Sequence, residues 1–261
     1  MKKYFRRQIA LPNDHGSWIF LLSPLLIGLT AGESWSFASF FLIMAAFSAF
    51  LIRQPITTAV KITSKRRPKT DLPAAFFWII TYGAILMMAL AGLMILGHAV
   101  LILLAIPAIP IFAWHLYLVS KRSERRQAGV EILGSGVLAL SSPAAYWVGV
   151  GNYAPVGWWL FILTWLQSAA SIVYAYLRLE QRELPKKPDL KTQLEMGKRA
   201  LLYTTFNFLA VSVLSIGSFL PPLLPIPFAF QWAETIWGCF TPAIGWKPTR
   251  IGIRQLIVSV I

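Results

Sequence analysis

Charged residues are scarce in this chain of 261 residues, since Asp, Glu, Lys and Arg make up 13% of it and Asp and Glu together number only 10. Apolar residues account for 57%, and the mean hydropathy is +0.63. Ordinary soluble chains carry about 25% charged and roughly 45–50% apolar residues. The shortage of charge excludes a water-soluble domain and indicates that lipid surrounds much of the chain.

Cysteine is almost absent as well. Cys239 is the one cysteine in the sequence, which excludes an intrachain disulfide and any zinc or iron–sulfur site built from paired Cys and His residues. The fold must therefore be held together by packing and hydrogen bonds.

Long apolar stretches take the place of the missing charge. A helix needs about 20 apolar residues to cross the hydrocarbon core, and about 17 is the practical minimum. Eight stretches meet or approach this length: 16–32, 35–52, 73–96, 98–119, 128–150, 156–177, 199–219 and 223–241. They predict an all-α integral membrane protein in which residues 1–261 form a single multi-pass domain.

Cations are missing from every second connection. The connections near 32–35, 97–98, 150–155 and 220–222 contain no Lys or Arg, and all 24 cations fall in the N-terminal tail, in 53–69, in 121–126, in 178–199 and after 246. This alternation follows the positive-inside rule and predicts cytoplasmic termini. The net charge of +14 therefore indicates contact with anionic lipid headgroups rather than with nucleic acid.

Polar side chains inside an apolar stretch are costly and deserve a functional hypothesis. In the sixth stretch, Gln167, Ser171, Tyr174 and Arg178 are spaced to share one helix face. The carboxylates Glu131 and Glu234 lie in the fifth and eighth stretches. Two interpretations stay open: hydrogen bonds that hold helices together, or a cavity that opens to the cytoplasm.

Two further features suggest phosphate or proton chemistry. Asp14 precedes His15 at the start of the first stretch, where the pair either caps the helix or acts as an acid–base pair. Arg53 follows the second stretch in a connection without acidic residues before Thr70. Its planar guanidinium suits a phosphate or diphosphate, and attraction to anionic lipid explains the other cations equally well.

The last stretch, 251–261, is too short to span. Its apolar residues alternate with Arg254, and Arg250 precedes them. This pattern predicts a helix that lies along the membrane interface.

Short motifs along nearly the whole chain resemble the YwiC-like family of bacterial membrane proteins. They are the run PNDHGSW at 12–18, RQP at 53–55, SIVYAYLR at 171–178, WKP at 246–248 and GIR at 252–254. The resemblance implies a multi-pass protein of the bacterial inner membrane and brings no settled biochemical activity.

The arrangement also resembles, distantly, the UbiA-type intramembrane prenyltransferases, whose long cytoplasmic loops carry catalytic motifs. The resemblance implies a degenerate UbiA-like bundle that handles an isoprenoid or lipid phosphate. The sequence departs from that family because it contains no Asp-x-x-x-Asp motif. Magnesium requires hard oxygen ligands, so the usual two-magnesium site is not expected and the cofactor stays undefined.

Three function classes follow. The first is an enzyme or binding protein for a lipid or isoprenoid phosphate, with Arg53, Gln167, Tyr174 and Arg178 at the phosphate and Asp14, His15, Glu131 and Glu234 as candidate catalytic groups. The second is a small-molecule or proton-coupled transporter with a relay of carboxylates and amides. The third is a non-catalytic membrane scaffold. If the protein is an enzyme, the expected reaction is the transfer of a prenyl group or of a lipid phosphate, without Asp-rich magnesium motifs.

Overall fold

The computed structural model describes residues 4–12, 15–123 and 127–260, apart from the side chains of 15, 16, 256, 257, 259 and 260. Every regular element in these residues is helical. The α-helices are α1 (Arg7–Ala10), α2 (His15–Ala31), α3 (Phe37–Thr63), α4 (Leu72–Ile95), α5 (Ala105–Ser120), α6 (Ala128–Ala139), α7 (Ser141–Val150), α8 (Val156–Gln181), α9 (Leu190–Ile216), α10 (Pro225–Phe240) and α11 (Pro248–Val260). Short 3-10 turns, Lys69–Asp71 and Ala99–Leu104, precede α4 and α5.

The helices confirm the predicted all-α membrane architecture. Among the described residues, 6 helical segments are long and apolar enough to cross a bilayer: Phe37–Thr63, Lys69–Ile95, Ala99–Ser120, Ala128–Val150, Val156–Gln181 and Leu190–Ile216. Ser17–Ala31 is a shorter apolar helix, and α10 has 16 residues. A total of eight spans and the cytoplasmic position of the termini stay predictions.

Two predicted connections are shorter in the structure, and their ends belong to helices. Helix α3 continues to Thr63, so Arg53 lies within a helix and not in a loop that begins at residue 53. The sequence prediction placed the end of the apolar stretch at residue 52, and the helix continues past it through Pro55. Pro55 and Ile62 are buried, and tertiary packing of this kind sustains most helices. Likewise, α8 runs to Gln181 and α9 begins at Leu190, which leaves 182–189 as the connection.

The chain divides into two compact units, residues 1–164 and 165–261, and the boundary falls within α8. The predicted single domain stays a prediction. In the first unit, the core consists of small and branched apolar side chains. They include Leu25 and Leu29 of α2, Leu42 and Ala45 of α3, Ala89 and Leu93 of α4, and Ala144, Ala145 and Trp147 of α7.

Glycines let α2 and α7 approach each other closely. A Cβ atom added to Gly28 would lie 2.2 Å from the carbonyl oxygen of Ser142 and 2.7 Å from Cβ of Ala145. A Cβ atom on Gly149 would lie 2.6 Å from Cα of Gly32. Small residues at a helix crossing increase the backbone contact that drives association in lipid. These glycines therefore set the distance between the two helices.

The N-terminal segment is fastened to α3 and α4 by polar contacts. Gln54 donates a hydrogen bond to the carbonyl oxygen of Gln8 (2.9 Å), and the Tyr82 hydroxyl donates to that of Ala10 (3.1 Å). Arg6 forms an ion pair with Asp71, a carboxylate that is 7% exposed. The segment is therefore part of the first unit and not a free tail.

Replacing Asp71 with asparagine is expected to loosen this segment without unfolding the unit. The Arg6 side chain is 45% exposed, so solvent screening limits the loss to about 1 kcal/mol. That loss raises the fraction of molecules whose N-terminal segment is detached from α3 and α4 roughly fivefold. Limited trypsin digestion at Arg6 and Arg7 measures this change, with Asp189→Asn in the other unit as the matched control. Equal cleavage rates in the two variants would contradict the prediction.

In the second unit, α9 and α10 pack through an aromatic and a small-residue contact. The rings of Phe208 and Trp232 are stacked with centroids 5.3 Å apart, and Trp232 Nε1 donates to the Thr205 hydroxyl (2.9 Å). A Cβ atom added to Gly197 would lie 2.4 Å from Sγ of Cys239, which is fully buried. These contacts hold α10 in place for the groups described next.

Candidate functional site

A row of hydrogen bonds joins α8 to α10. Gln231 Nε2 donates to the Gln167 carbonyl oxygen (3.0 Å) and to the Ser171 hydroxyl (2.8 Å). The Tyr174 hydroxyl donates to Glu234 Oε1 (2.9 Å). The bonded residue numbers increase together along both helices, so α8 and α10 run parallel. We call this row the polar seam.

The polar seam ends at a buried arginine. Arg178 is 1% exposed, and its Nη1 donates to the carbonyl oxygens of Gly238 (2.8 Å) and Thr241 (2.7 Å). Gln181 Oε1 lies 2.8 Å from the same nitrogen. The other terminal nitrogen, Nη2, has no hydrogen-bond acceptor among the described residues. Backbone carbonyls thus hold this cation, and no carboxylate of the described chain forms an ion pair with it.

Gly238 allows the polar seam to close. A Cβ atom at this position would lie 2.3 Å from the hydroxyl oxygen of Tyr174. A larger residue would therefore push the tyrosine away from Glu234, so the glycine keeps the hydroxyl within hydrogen-bond distance of the carboxylate.

Glu234 connects the polar seam to the last helix, α11. Arg254 donates through Nε to Glu234 Oε1 (2.6 Å) and through Nη2 to Oε2 (2.8 Å), which makes a bidentate pair. The hydrogen bond raises the pKa of Arg254, and the charge of the carboxylate adds to this effect. Gln255, the next residue, donates to the carbonyl oxygen of Ser171 (2.8 Å). Helix α11 is thereby held against α8 and α10.

Three arginines and two tryptophans alternate beside the polar seam. Cζ of Arg178 lies 5.3 Å from the ring centroid of Trp237 and 5.0 Å from that of Trp246. Arg254 lies 3.8 Å from Trp237, and Arg250 lies 4.2 Å from Trp246. Cation–π contacts stabilise a guanidinium by about 0.5–2 kcal/mol without neutralising it. This arginine–tryptophan ladder therefore concentrates positive charge that Glu234 only partly balances.

A pocket of about 730 Å³ opens next to the ladder. No carboxylate is found among the described residues that line it. Its cations come from the loop before α11 and from α11 itself, and its apolar side chains come from the same segments. The lining includes Lys247, Arg250, Arg254, Trp246, Ile253 and Val258. We call it the cationic pocket. Its chemistry suits a ligand with an anionic group and an apolar part.

Four of the sequence-predicted site residues meet at the polar seam. Gln167, Tyr174 and Arg178 do share one face of α8, and Glu234 joins them from α10. Gln167 takes part through its backbone carbonyl. Arg178 does not line the cationic pocket, because its guanidinium is enclosed by carbonyl oxygens and indole rings. Its direct contact with a phosphate stays a prediction.

The other predicted site residues belong to the first unit or lie outside the described residues. Arg53 is half-buried within α3, 5.6 Å from the ring centroid of Phe50, and Glu131 is exposed in the first turn of α6. Both belong to the first unit. Asp14 lies outside the described residues, and so does the side chain of His15. Among the described residues, no three His, Cys, Asp or Glu side chains are grouped so that they could hold a metal ion.

Sequence reasoning missed the pocket cations Lys247, Arg250 and Arg254 as site residues. It used these cations as a sign of membrane orientation and of an interfacial helix, and Lys247 and Arg254 also as part of the motifs WKP and GIR. The available signal was the spacing of positions 247, 250 and 254, which places all three cations on one face of a helix, next to Trp246.

Comparisons with known proteins agree with the sequence motifs. A family model described as YwiC-like protein matches residues 11–146. The chain is also 26% identical, over 263 residues, to the uncharacterized protein YwiC of Bacillus subtilis (strain 168), covering 95% of this chain and 92% of that protein. No solved structure matches the chain significantly. The likeness to UbiA-type prenyltransferases stays a prediction.

Proposed function

The chain belongs to the YwiC-like family, and from this premise we propose that it is a membrane protein that binds the phosphate-bearing headgroup of a lipid in its cationic pocket. The proposal covers phospholipids and isoprenoid phosphates, which present the same anionic group on an apolar tail. The observation that carries it is the convergence of three cations, Lys247, Arg250 and Arg254, on one pocket whose described lining has no carboxylate.

The charge of the pocket supports an anionic ligand. Lys247 and Arg250 are exposed, and no ion pair within the described chain occupies them. Guanidinium groups bind phosphate oxygens in a bidentate manner, and the lysine adds a point charge. Arg178, buried behind Trp246, adds a fixed positive charge that a ligand does not need to desolvate.

The apolar part of the pocket supports a lipid over a free anion. Ile253, Val258 and the Trp246 ring line the same cavity as the cations. A volume of about 730 Å³ is within the range of small-molecule sites, roughly 300–1,000 Å³, and exceeds what a lone phosphate fills. A headgroup with the first part of its tail matches both portions of the lining.

The cytoplasmic leaflet is the expected location of the site. The pocket cations belong to the segment after residue 246, which the positive-inside rule assigns to the cytoplasm of the bacterial inner membrane. Anionic lipids in that leaflet attract basic segments by about 1 kcal/mol per cation near the surface. Because three cations surround one pocket, this general attraction becomes binding at a defined site.

Combined replacement of Lys247 and Arg250 with alanine is expected to weaken lipid binding roughly 30-fold, because charge-assisted hydrogen bonds worth about 2 kcal/mol in total are lost. The measurement is titration of the purified protein in maltoside micelles with dioctanoyl phosphatidylglycerol, together with mass spectrometry of the lipids that co-purify. The matched control is Lys198→Ala with Arg199→Ala, which removes the same charges from exposed positions of α9.

Three further ligands separate the sources of the anion. Farnesyl phosphate tests the isoprenoid class, sodium sulfate tests a free anion, and dioctanoyl phosphatidylcholine tests a headgroup without net charge. Tight binding of either lipid anion with weak binding of sulfate supports the proposal. Equal affinity of the pocket variant and the control variant for every ligand would overturn it.

A further inference from the structure

The cationic pocket carries more positive charge than one negative charge can balance. Its lining contains Lys247, Arg250 and Arg254. The Glu234 carboxylate pairs with Arg254 at 2.6 and 2.8 Å and so compensates one of these three charges. Lys247 and Arg250 are exposed and have no ion-pair partner among the described residues. Two positive charges of the pocket are therefore left for a ligand.

Arg254 keeps a free edge although it is paired. Its bonds to Glu234 use Nε and Nη2, which form one of the two bidentate edges of a guanidinium. The second edge, formed by Nη1 and Nη2, meets no second acceptor within the described chain, and the side chain is 40% exposed. The ion pair and the Trp237 ring, 3.8 Å from Cζ, hold this edge in position before a ligand arrives.

Arg250 and Lys247 supply the other donors. Cζ of Arg250 lies over the Trp246 ring, 4.2 Å from its centroid. A ring beneath the guanidinium leaves the N–H groups, which point outward in the guanidinium plane, free to donate. Lys247 adds an ammonium group that also lines the pocket. Three separate cations can thus donate to three oxygen atoms of one anionic group.

We propose that the ligand of the cationic pocket is a phosphomonoester, a terminal phosphate on an apolar tail, and that the pocket discriminates against phosphodiesters. The inference rests on the proposed function and narrows its ligand class. A phosphomonoester has three terminal oxygens and up to two negative charges. A phosphodiester such as phosphatidylglycerol has two such oxygens and one charge. The monoester therefore matches the three cations and the two uncompensated charges of the pocket.

The discrimination comes from the cation that a diester leaves without an oxyanion. The esterified oxygen of a diester carries no negative charge and replaces one of the three strong acceptors. Loss of one charge-assisted hydrogen bond weakens binding roughly tenfold or more. A monoester is expected to bind more tightly than a diester by about this factor.

The experiment compares two soluble lipids that differ by one methyl group on a phosphate oxygen, dioctanoyl phosphatidic acid and dioctanoyl phosphatidylmethanol. Each is titrated into the full chain in maltoside micelles at about pH 8, where the monoester is mainly a dianion. Phosphatidic acid is expected to bind about tenfold more tightly. Farnesyl phosphate carries the same group on an isoprenoid tail and distinguishes the two sources of a monoester. Tighter binding of either monoester than of the diester supports the proposal.

Replacing Lys247 and Arg250 together with alanine is expected to reduce this preference to about twofold or less, because the remaining cation, Arg254, is already compensated by Glu234. The matched control, Lys198→Ala with Arg199→Ala, removes the same charges from exposed positions of α9 and should keep the full preference. A preference that persists in the pocket variant would trace it to the general positive charge of the protein and overturn the proposal.

Lowering the pH tests the same point in the wild-type protein. A phosphomonoester takes up its second proton near about pH 6, whereas the diester keeps a single charge. We expect the ratio of the two affinities to fall from about tenfold at about pH 8 to roughly twofold at about pH 5. Both lipids meet the same protein at each pH, so titration of the protein cancels in the ratio. A ratio that is independent of pH would contradict the proposal.

The outcomes separate this inference from the proposed function. Equal affinity of the wild-type protein for monoester and diester overturns the discrimination and leaves the lipid-binding pocket standing. Binding of neither class of lipid overturns both.

Discussion

Replacement of Arg178 with alanine is expected to lower the free energy of unfolding of the second unit by about 4 kcal/mol. The change leaves the carbonyl oxygens of Gly238 and Thr241 buried without their donor, and each such group costs about 1–3 kcal/mol. It also removes the central cation of the arginine–tryptophan ladder. Few single substitutions have an effect of this size.

This loss is measured by thermal unfolding in detergent. The signal that monitors unfolding is the reaction of Cys239 with a thiol-specific fluorophore. Cys239 is 0% exposed and belongs to the second unit, so its reactivity reports the opening of that unit. Arg178→Lys is expected to fall between wild type and Arg178→Ala, because an ammonium keeps the charge and loses the planar contacts. Arg199→Ala, at an exposed position, is the control. Equal melting temperatures for Arg178→Ala and Arg199→Ala would show that the carbonyl contacts carry no stability.

Substitution of Gly28 by alanine is expected to destabilise the first unit by about 3 kcal/mol. The new methyl group would lie 2.2 Å from a backbone oxygen of α7, and a backbone atom cannot move aside as the end of a flexible side chain can. Overpacking of this kind costs about 1–3 kcal/mol and sometimes more. The two helices must separate, which weakens the core contacts of Leu25 and Leu29.

Gly83→Ala is the matched control for the α2–α7 crossing. Its new Cβ atom would lie 3.8 Å from Cδ1 of Ile52, an ordinary contact, and alanine is a better helix former than glycine by about 1 kcal/mol. The two variants should therefore change the melting temperature, measured by far-ultraviolet circular dichroism, in opposite directions. A shift of the same sign in both would mean that the close approach of α2 and α7 is not required.

Helix periodicity explains what could be predicted from the sequence. The spacing of Gln167, Tyr174 and Arg178 places them on one face whatever surrounds the helix, and in the structure that face meets α10. The identity of the partner could not be predicted, because the contact with Glu234 depends on how helices distant in sequence pack. The sequence also could not decide between the two interpretations of the polar residues of α8. In the structure their contacts join helices, and the cationic pocket lies beside them at α11.

The failures also have physical causes. The predicted end of the second stretch at residue 52 was wrong because the apolar run stops at Arg53, whereas buried neighbours on both sides of Pro55 keep the helix intact. The pocket cations were missed because their role depends on how α11 packs against α8 and α10, which is a tertiary feature. A single sequence predicts that these cations are near the membrane but not that they line one pocket.

The polar seam also determines where the chain tolerates a change of length. Its bonds from Ser171, Tyr174 and Arg178 each reach a residue 60 positions further along. An extra residue in the connection 182–189 would change that number and leave each bond intact. An extra residue between Ser171 and Tyr174 would rotate everything after it by about 100° and advance it by about 1.5 Å, so the tyrosine and the arginine would both miss their acceptors. Natural insertions and deletions in relatives of this chain should accordingly gather in the connections and spare the interior of α8 and α10.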